Sequence, residues 1–234
     1  MKLEEHQVGS SSGTCSRRIR LLEAPAGSPR GIAVFLDGEY YVEKMAAPDL
    51  IRGLQRRGEI PPRTCVFVSH VDAASRHRDF PCNECYAEFI ATDLIRWIRE
   101  RSPELPEGGH SIGGTSLAGL AAAFITLSYP QVFSRCLSQS GSFWWGDERL
   151  TGRVAEMPGQ KSKFWISVGD RETQSGISHQ PSGMRQEVAQ LPACERFAEA
   201  LKTQGHEVAF RLHPGVHEIN PWRDELPDAL RWLG

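Results

Sequence analysis

The sequence predicts a single-domain α/β fold with a mostly parallel central sheet and helices on both faces. Three observations carry this. Short apolar runs, Gly31-Ile-Ala-Val-Phe-Leu36 and Cys65-Val-Phe-Val68 among them, read as strands buried on both faces. Amphipathic helical stretches alternate with these runs, which means βαβ units, parallel strands and right-handed crossovers. The 234 residues, without internal repeat or linker-like tract, suit one domain with a sizeable core. In such a sheet the reactive groups gather beyond the C-terminal ends of the strands.

Residues 1–14 read as a disordered lead-in, and 15–234 as the folded domain. Met1-Lys-Leu-Glu-Glu-His-Gln7 carries acid and runs into a Gly/Ser tract, without the apolar core of a secretory signal. Residues 17–23 set Ile19 and Leu21 against charges, as a half-buried strand does. Residues 24–30 are a Pro/Gly turn. The strand at 31–36 ends at Asp37-Gly38. A short helix at 48–57 places Leu50, Ile51 and Leu54 on one face and stops at Gly58. A strand at 65–68 leads to a polar loop over 72–78. The longest helix, 84–100, lines up Tyr86, Phe89, Ile90, Leu94, Trp97 and Ile98.

A Pro/Gly loop then leads into an apolar strand ending at Gly114-Thr-Ser-Leu-Ala118. An Ala-rich helix follows to Ser128 and is closed by Tyr129-Pro130. Residues 132–137 form a strand running to Ser138-Gln-Ser-Gly-Ser142, and 146–162 are irregular. The strand at 164–168 ends at Gly169-Asp170. A loop to about Gly183 precedes a helix over 184–203, broken and restarted at Pro192. Residues 208–212 are the last strand and 221–233 the last helix.

A net charge of −2 without a basic stripe argues against nucleic acid. The apolar runs are far too short to cross a membrane, so the expectation is a cytoplasmic protein with no membrane partner. Of six cysteines, Cys65 and Cys136 sit in strand-like runs as small hydrophobes. Cys82-Asn-Glu-Cys85 has C-x-x-C spacing but no second pair, a weak zinc or redox signal.

The chemistry centres on Ser116. Strand, sharp turn with a central Ser, then helix is the context of a nucleophile elbow. Gly114 and Ala118, two before and two after, are small enough for strand and helix to approach closely. Ala118 replaces the usual Gly. Asp170 and Glu172 follow the 164–168 strand, and His213 and His217 follow the 208–212 strand. The order Ser, acid, His is that of the α/β-hydrolases. A Ser hydroxyl needs a base to take its proton, and the imidazole needs a carboxylate to fix its tautomer. The oxyanion hole needs two backbone N–H groups. Leu117 supplies one. The other comes from Gly38-Glu39-Tyr40, represented by Glu39, though the sequence alone does not choose among the three. Tyr40, Tyr41, Trp144 and Trp145 are candidates for an aromatic wall.

These residues resemble the enterochelin (ferric enterobactin) esterase family from about Arg30 to the C-terminus. The resemblance rests on Gly114-Thr-Ser-Leu-Ala-Gly119, Tyr129-Pro-Gln-Val-Phe133, Leu36-Asp-Gly-Glu-Tyr-Tyr41, Arg76 through Asp79 to Pro81-Cys-Asn83, and Gly215-Val-His-Glu218 with Trp222-Arg223. Its most specific part is Leu137-Ser-Gln-Ser-Gly-Ser-Phe-Trp-Trp145. It implies a serine esterase of α/β-hydrolase fold, without metal or organic cofactor, acting on a small-molecule ester. The family hydrolyses the serine esters of catecholate siderophores, and close relatives cleave other carboxylic esters. The resemblance also implies Ser116 as nucleophile, His217 as base, and Glu172 rather than Asp170 as acid. Arg76 is implied as a contact to anionic substrate, with Arg78 beside it. Larger relatives carry an N-terminal domain for which this sequence has no counterpart, so a smaller or different ester is the expectation. The alternatives are an acyltransferase of the same fold, a non-catalytic binding protein, and a Cys82/Cys85 thiol or metal protein. The oligomeric state is open.

Overall fold

The computed structural model describes residues 3–25, 31–157 and 159–234. Residues 26–30 of the expected Pro/Gly turn therefore lie outside the described residues.

Among the described residues the central sheet has eight strands in the order β1-β2-β4-β3-β5-β6-β7-β10. These are β1 (Glu4–Gly9), β2 (Ser16–Leu22), β3 (Ile32–Leu36), β4 (Thr64–Val68), β5 (His110–Thr115), β6 (Phe133–Gln139), β7 (Lys163–Gly169) and β10 (Glu207–His213). From β4 through β10 all neighbours are parallel, whereas β2 runs antiparallel to β4 and β1 antiparallel to β2. The fully apolar runs become strands covered on both faces because side chains alternate along a strand. In β3, Val34 and Leu36 join the core on one face, while Ala33 and Phe35 join the core on the other.

The first face is covered chiefly by the 84–101 helix, α5 (Leu117–Ser128) and α7 (Gln190–Thr203); the second is covered by α1 (Ala47–Arg56) and α8 (Ile219–Leu233). Every residue of α5 from Leu117 to Leu127 is buried, and its alanines let the helix lie close on β5 and β6. The long helix is one continuous element, α3 (Glu84–Glu88), a π-helical stretch (Phe89–Leu94) and α4 (Ile95–Arg101). Its predicted stripe is buried, with Trp97 partly so.

Several expectations are corrected. The disordered lead-in holds a strand, β1, in which only Val8 is buried, so backbone pairing with β2 rather than a hydrophobic signal creates it. The polar loop after β4 contains α2 (Ala73–Asp79). The Asp72 side chain starts that helix by accepting a hydrogen bond from Ser75 N–H at 2.7 Å. The irregular segment after β6 contains α6 (Trp145–Arg153), entered through left-handed Gly146, Asp147 and Glu148. Between β7 and α7 the chain forms a two-stranded hairpin, β8 (Ile177–His179) and β9 (Met184–Gln186), where a loop and a helix start were expected. Pro192 sits in the first turn of α7, where its missing N–H costs nothing. Among the described residues no helix is long and apolar enough to cross a membrane.

Candidate active site

Ser116 occupies the turn between β5 and α5 with φ 56° and ψ −123°, a strained conformation for a residue bearing a Cβ. Close packing enforces it. A Cβ on Gly114 would lie 2.4 Å from the backbone of Ala118, so strand and helix can meet only over glycine. The Ser116 N–H donates to the Gln139 carbonyl (2.9 Å), and its carbonyl accepts from the N–H of Leu120 and of Ser142, both at 3.1 Å. Its Oγ lies 3.3 Å from Ser142 Oγ.

Glu172 and His217 come from two loops that are laced together. Asp170 N–H donates to the His213 carbonyl (2.9 Å) and Arg171 N–H to the Gly215 carbonyl (3.0 Å). Gly215 N–H donates in turn to Asp170 Oδ1 (2.9 Å). A Cβ on Gly169 would lie 2.5 Å from the Gly215 carbonyl oxygen, so the loops touch backbone to backbone. Asp170 is thus a loop clamp. Glu172 turns inward, 7% exposed, and its Oε2 accepts a hydrogen bond from His217 Nδ1 at 2.6 Å. Its Oε1 accepts from Gly169 N–H (2.8 Å) and from the Ser140 hydroxyl (2.6 Å). Burial pushes the Glu172 pKa up, but the bond from His217 and those from Ser140 and Gly169 outweigh it and leave the net shift downward. The carboxylate is ionised and acceptor-only, so Nδ1 of His217 is the donor in this bond.

Ser116, Glu172 and His217 line one cavity of about 380 Å³, together with Ser142, Trp144 and His179. Trp144 donates its indole N–H to Gln190 Oε1 (2.5 Å) and stacks on His179, ring centroids 5.1 Å apart and planes 12° from parallel. The other expected wall residues lie elsewhere. Tyr41 is fully buried and donates its hydroxyl to Gln139 Oε1 (3.0 Å). Tyr40 lies against His70, ring centroids 6.0 Å apart, outside that cavity lining. Trp145 packs partly buried against the core. Arg76 points its Nε to Asp37 Oδ2 (2.8 Å) and reaches the Thr115 carbonyl (3.4 Å), and it too lies outside the cavity lining. Arg78 is paired with Asp79.

The oxyanion-hole candidates are Leu117 and the turn after β3. Leu117 is the first residue of α5, so its N–H has no acceptor within the helix. In the turn, Tyr40 N–H is committed to the Asp37 carbonyl (2.9 Å), which leaves Gly38 and Glu39. The turn is anchored by charge. Asp37 is fully buried between Arg76 and His70, whose Nδ1 lies 3.1 Å from Asp37 Oδ1 and 3.2 Å from Glu39 Oε2. These carboxylates raise the His70 pKa to about 9. Burial pushes the Glu39 pKa up, but bonds from His70 and Ser69 outweigh it and bring it to about 2.

Sequence reasoning gave no site role to Ser142, Gln190, His179 or Trp222, which reach the site from the loop after β6, α7, the hairpin and α8. The Ser-Gln-Ser-Gly-Ser block was the available signal for Ser142. Cys82 and Cys85 are free thiols, the first pushed up to about 12 by burial, and neither lines this cavity.

The strand order, the strained Ser116 after β5, and the acid and His loops after β7 and β10 define an α/β-hydrolase fold. Residues 10–233 match the family model described as Putative esterase, and the chain belongs to this esterase family. It is 31% identical over 232 residues to the iron(III) enterobactin esterase of Escherichia coli (strain K12), covering 92% of this chain and 53% of the relative. The iron(III) enterobactin esterase of Dickeya dadantii (strain 3937) is 28% identical over 217 residues, covering 90% of this chain and 49% of the relative. This chain thus spans about half the length of these curated relatives. The crystal structure of the enterobactin esterase from Shigella flexneri in the presence of enterobactin superimposes with a TM-score of 0.85 at 23% identity, covering 100% of this chain and 58% of that one.

Proposed function

We propose that the protein is a serine esterase, a carboxylic ester hydrolase acting through an acyl-enzyme. The observation that carries this reading is the bond from His217 Nδ1 to buried Glu172, in the cavity that also holds Ser116. Ser116 Oγ turns from Ser142 to His217 Nε2, gives up its proton and attacks the ester carbonyl. The oxygen that becomes negative is met by the N–H group of Leu117 and that of Gly38 or Glu39, held in place beforehand. The alcohol leaves with the proton from His217. Water then attacks the acyl-Ser116 by the same route in reverse.

For substrate we propose the catecholate siderophore esters named for the relatives, or a smaller aryl ester of that kind. The supporting features are the relatives' activity and the flat Trp144–His179 stack on the cavity wall, which suits an aromatic ring. The test is a phosphonate probe with peptide mapping, beside hydrolysis of p-nitrophenyl esters and of a catecholate triserine lactone. Labelling at Ser116 and loss of both activities in Ser116→Ala is the expected result. Labelling elsewhere, with Ser116→Ala still active, removes the reading. Turnover of p-nitrophenyl esters without the lactone removes the siderophore substrate alone.

A further inference from the structure

We propose that Ser140 and Trp222 are positioning residues that hold the acid Glu172 and the base His217 in register; this rests on reading Ser116, Glu172 and His217 as the catalytic set. The Ser-Gln-Ser-Gly-Ser block is the most specific stretch of the sequence, yet only Ser142 of it touches the cavity. Its middle residue faces the other way, onto the far oxygen of the acid.

The hydroxyl of Ser140 has one proton and two neighbours. Trp222 Nε1 lies 2.9 Å from its oxygen, and Glu172 Oε1 lies 2.6 Å from it. An indole N–H can only donate, so Ser140 Oγ accepts there, and its single proton points at Glu172. Trp222 thereby fixes the direction of a hydroxyl that would otherwise rotate. The same indole meets the His217 ring edge-on, centroids 4.9 Å apart and planes at 86°. One side chain therefore packs against the base and reaches the acid through a hydroxyl. Ser140 is fully buried and Trp222 is 4% exposed, so water does not compete for these bonds.

The local backbone serves this arrangement. Ser140 sits at φ 46°, and its N–H donates to the Ser167 carbonyl at 2.8 Å. Its own carbonyl accepts from Gln190 Nε2. The neighbouring Gln139 donates its Nε2 to the Trp222 carbonyl (2.7 Å), so the block grips α8 by both the backbone and the ring of Trp222. A bond to a charged acceptor that holds a catalytic group influences turnover rather than substrate affinity.

The test compares Ser140→Ala, Trp222→Phe and the double variant. The measurements are kcat and KM on p-nitrophenyl acetate, the rate of phosphonate labelling at Ser116, and the low-field proton resonance of His217 Nδ1–H. Ser140→Ala is expected to lower kcat about tenfold or more with KM changed less than about twofold, and to move the His217 resonance. Trp222→Phe keeps a ring against His217 but deletes the donor, and should move the same quantities in the same direction. The double variant should be no worse than Ser140→Ala, because both act through Glu172 Oε1. Wild-type kcat and an unmoved resonance in Ser140→Ala overturn the proposal, as do losses that multiply in the double variant. If Ser140→Ala does not fold, an unmoved resonance and unchanged kcat in Trp222→Phe overturn it equally. Absence of Ser116 labelling in the wild-type protein defeats the esterase reading instead, and the His217 resonance still decides whether the acid and base are held this way.

Discussion

Glu172 Oε2 and His217 Nδ1 are 2.6 Å apart although 45 residues separate them in the chain. The bond joins the loop after β7 to the loop after β10 and fixes which nitrogen of the imidazole is free. Asp170, two residues earlier, spends its carboxylate on the Gly215 N–H. The two acids therefore separate experimentally. Glu172→Gln should lower turnover by roughly four orders of magnitude, since an amide cannot stabilise the imidazolium. Asp170→Asn keeps an oxygen that accepts from Gly215 and should stay within about threefold of wild type. Steady-state kinetics with melting temperatures checks both. A larger loss in Asp170→Asn exchanges the roles.

Gly114→Ala should fail to give a stable protein. The added Cβ would lie 2.4 Å from the Ala118 backbone, which cannot retreat from a helix buried on every side. Overpacking typically costs about 1–3 kcal/mol, and backbone this close with no room to move lies at the upper end or beyond. Ala118→Gly, which restores the commoner elbow residue, should instead remain active and lose only about 1 kcal/mol of helix stability. Chemical denaturation of the two variants measures the contrast.

The His70 cluster predicts an alkaline weakness. Asp37 and then Glu39 hold the His70 pKa at about 9 against an ordinary 6.5. The folded state binds this proton more tightly than the unfolded chain, so the stabilisation is complete below pH 6.5 and is lost as pH rises through 9. Melting temperature should fall over that interval in the wild-type protein, and fall less in His70→Gln. An identical pH dependence in both would show that the cluster does not anchor the fold.

His110 predicts the opposite slope. It is fully buried at the start of β5, and burial followed by Arg63, Arg99 and Arg135 lowers its pKa to about 4. The unfolded chain takes up the proton first, so stability should drain away as pH falls from 6.5 toward 4. Urea midpoints across this range should flatten in a His110→Gln variant that still folds.

On the proposed reading, turnover should be unchanged in EDTA, because the chain itself would supply nucleophile, base and oxyanion donors. Among the described residues no three His, Cys, Asp or Glu side chains converge as metal ligands. Activity lost in EDTA and restored by zinc would reassign the chemistry, with Cys82 and Cys85 the first residues to mutate.

What the sequence revealed and what it hid follow from how each signal is made. The convergence of Ser116, Glu172 and His217 on one cavity was legible because each falls just past an apolar run, and parallel strands deliver such positions to one rim. Helix 84–101 was legible because its stripe repeats at helical spacing. Helix α2 was not, since Asp72 begins it with a cap and no comparable stripe follows. Strand β1 was hidden because it is stabilised by pairing with β2 and buries Val8 alone. Ser140 and Trp222 escaped for another reason. Their bond spans 82 residues and depends on where α8 crosses the end of β6, which no local pattern encodes.

The β8–β9 hairpin has a consequence of a different kind. Its strands pair with each other and not with the central sheet, yet it contributes Ile177, His179 and Gln186 to the cavity wall. It enters the chain after Glu172 and leaves it before α7, so it is separate in sequence from the bonds that join the Glu172 and His217 loops. Exchanging residues 174–187 for another sequence of similar length would replace this part of the cavity wall, together with the Ser182–His77 contact to α2 and the Trp144–His179 stack. On the proposed esterase reading, the protein carries part of its cavity wall as a replaceable cassette, and laboratory evolution directed at new esters has a natural place to start.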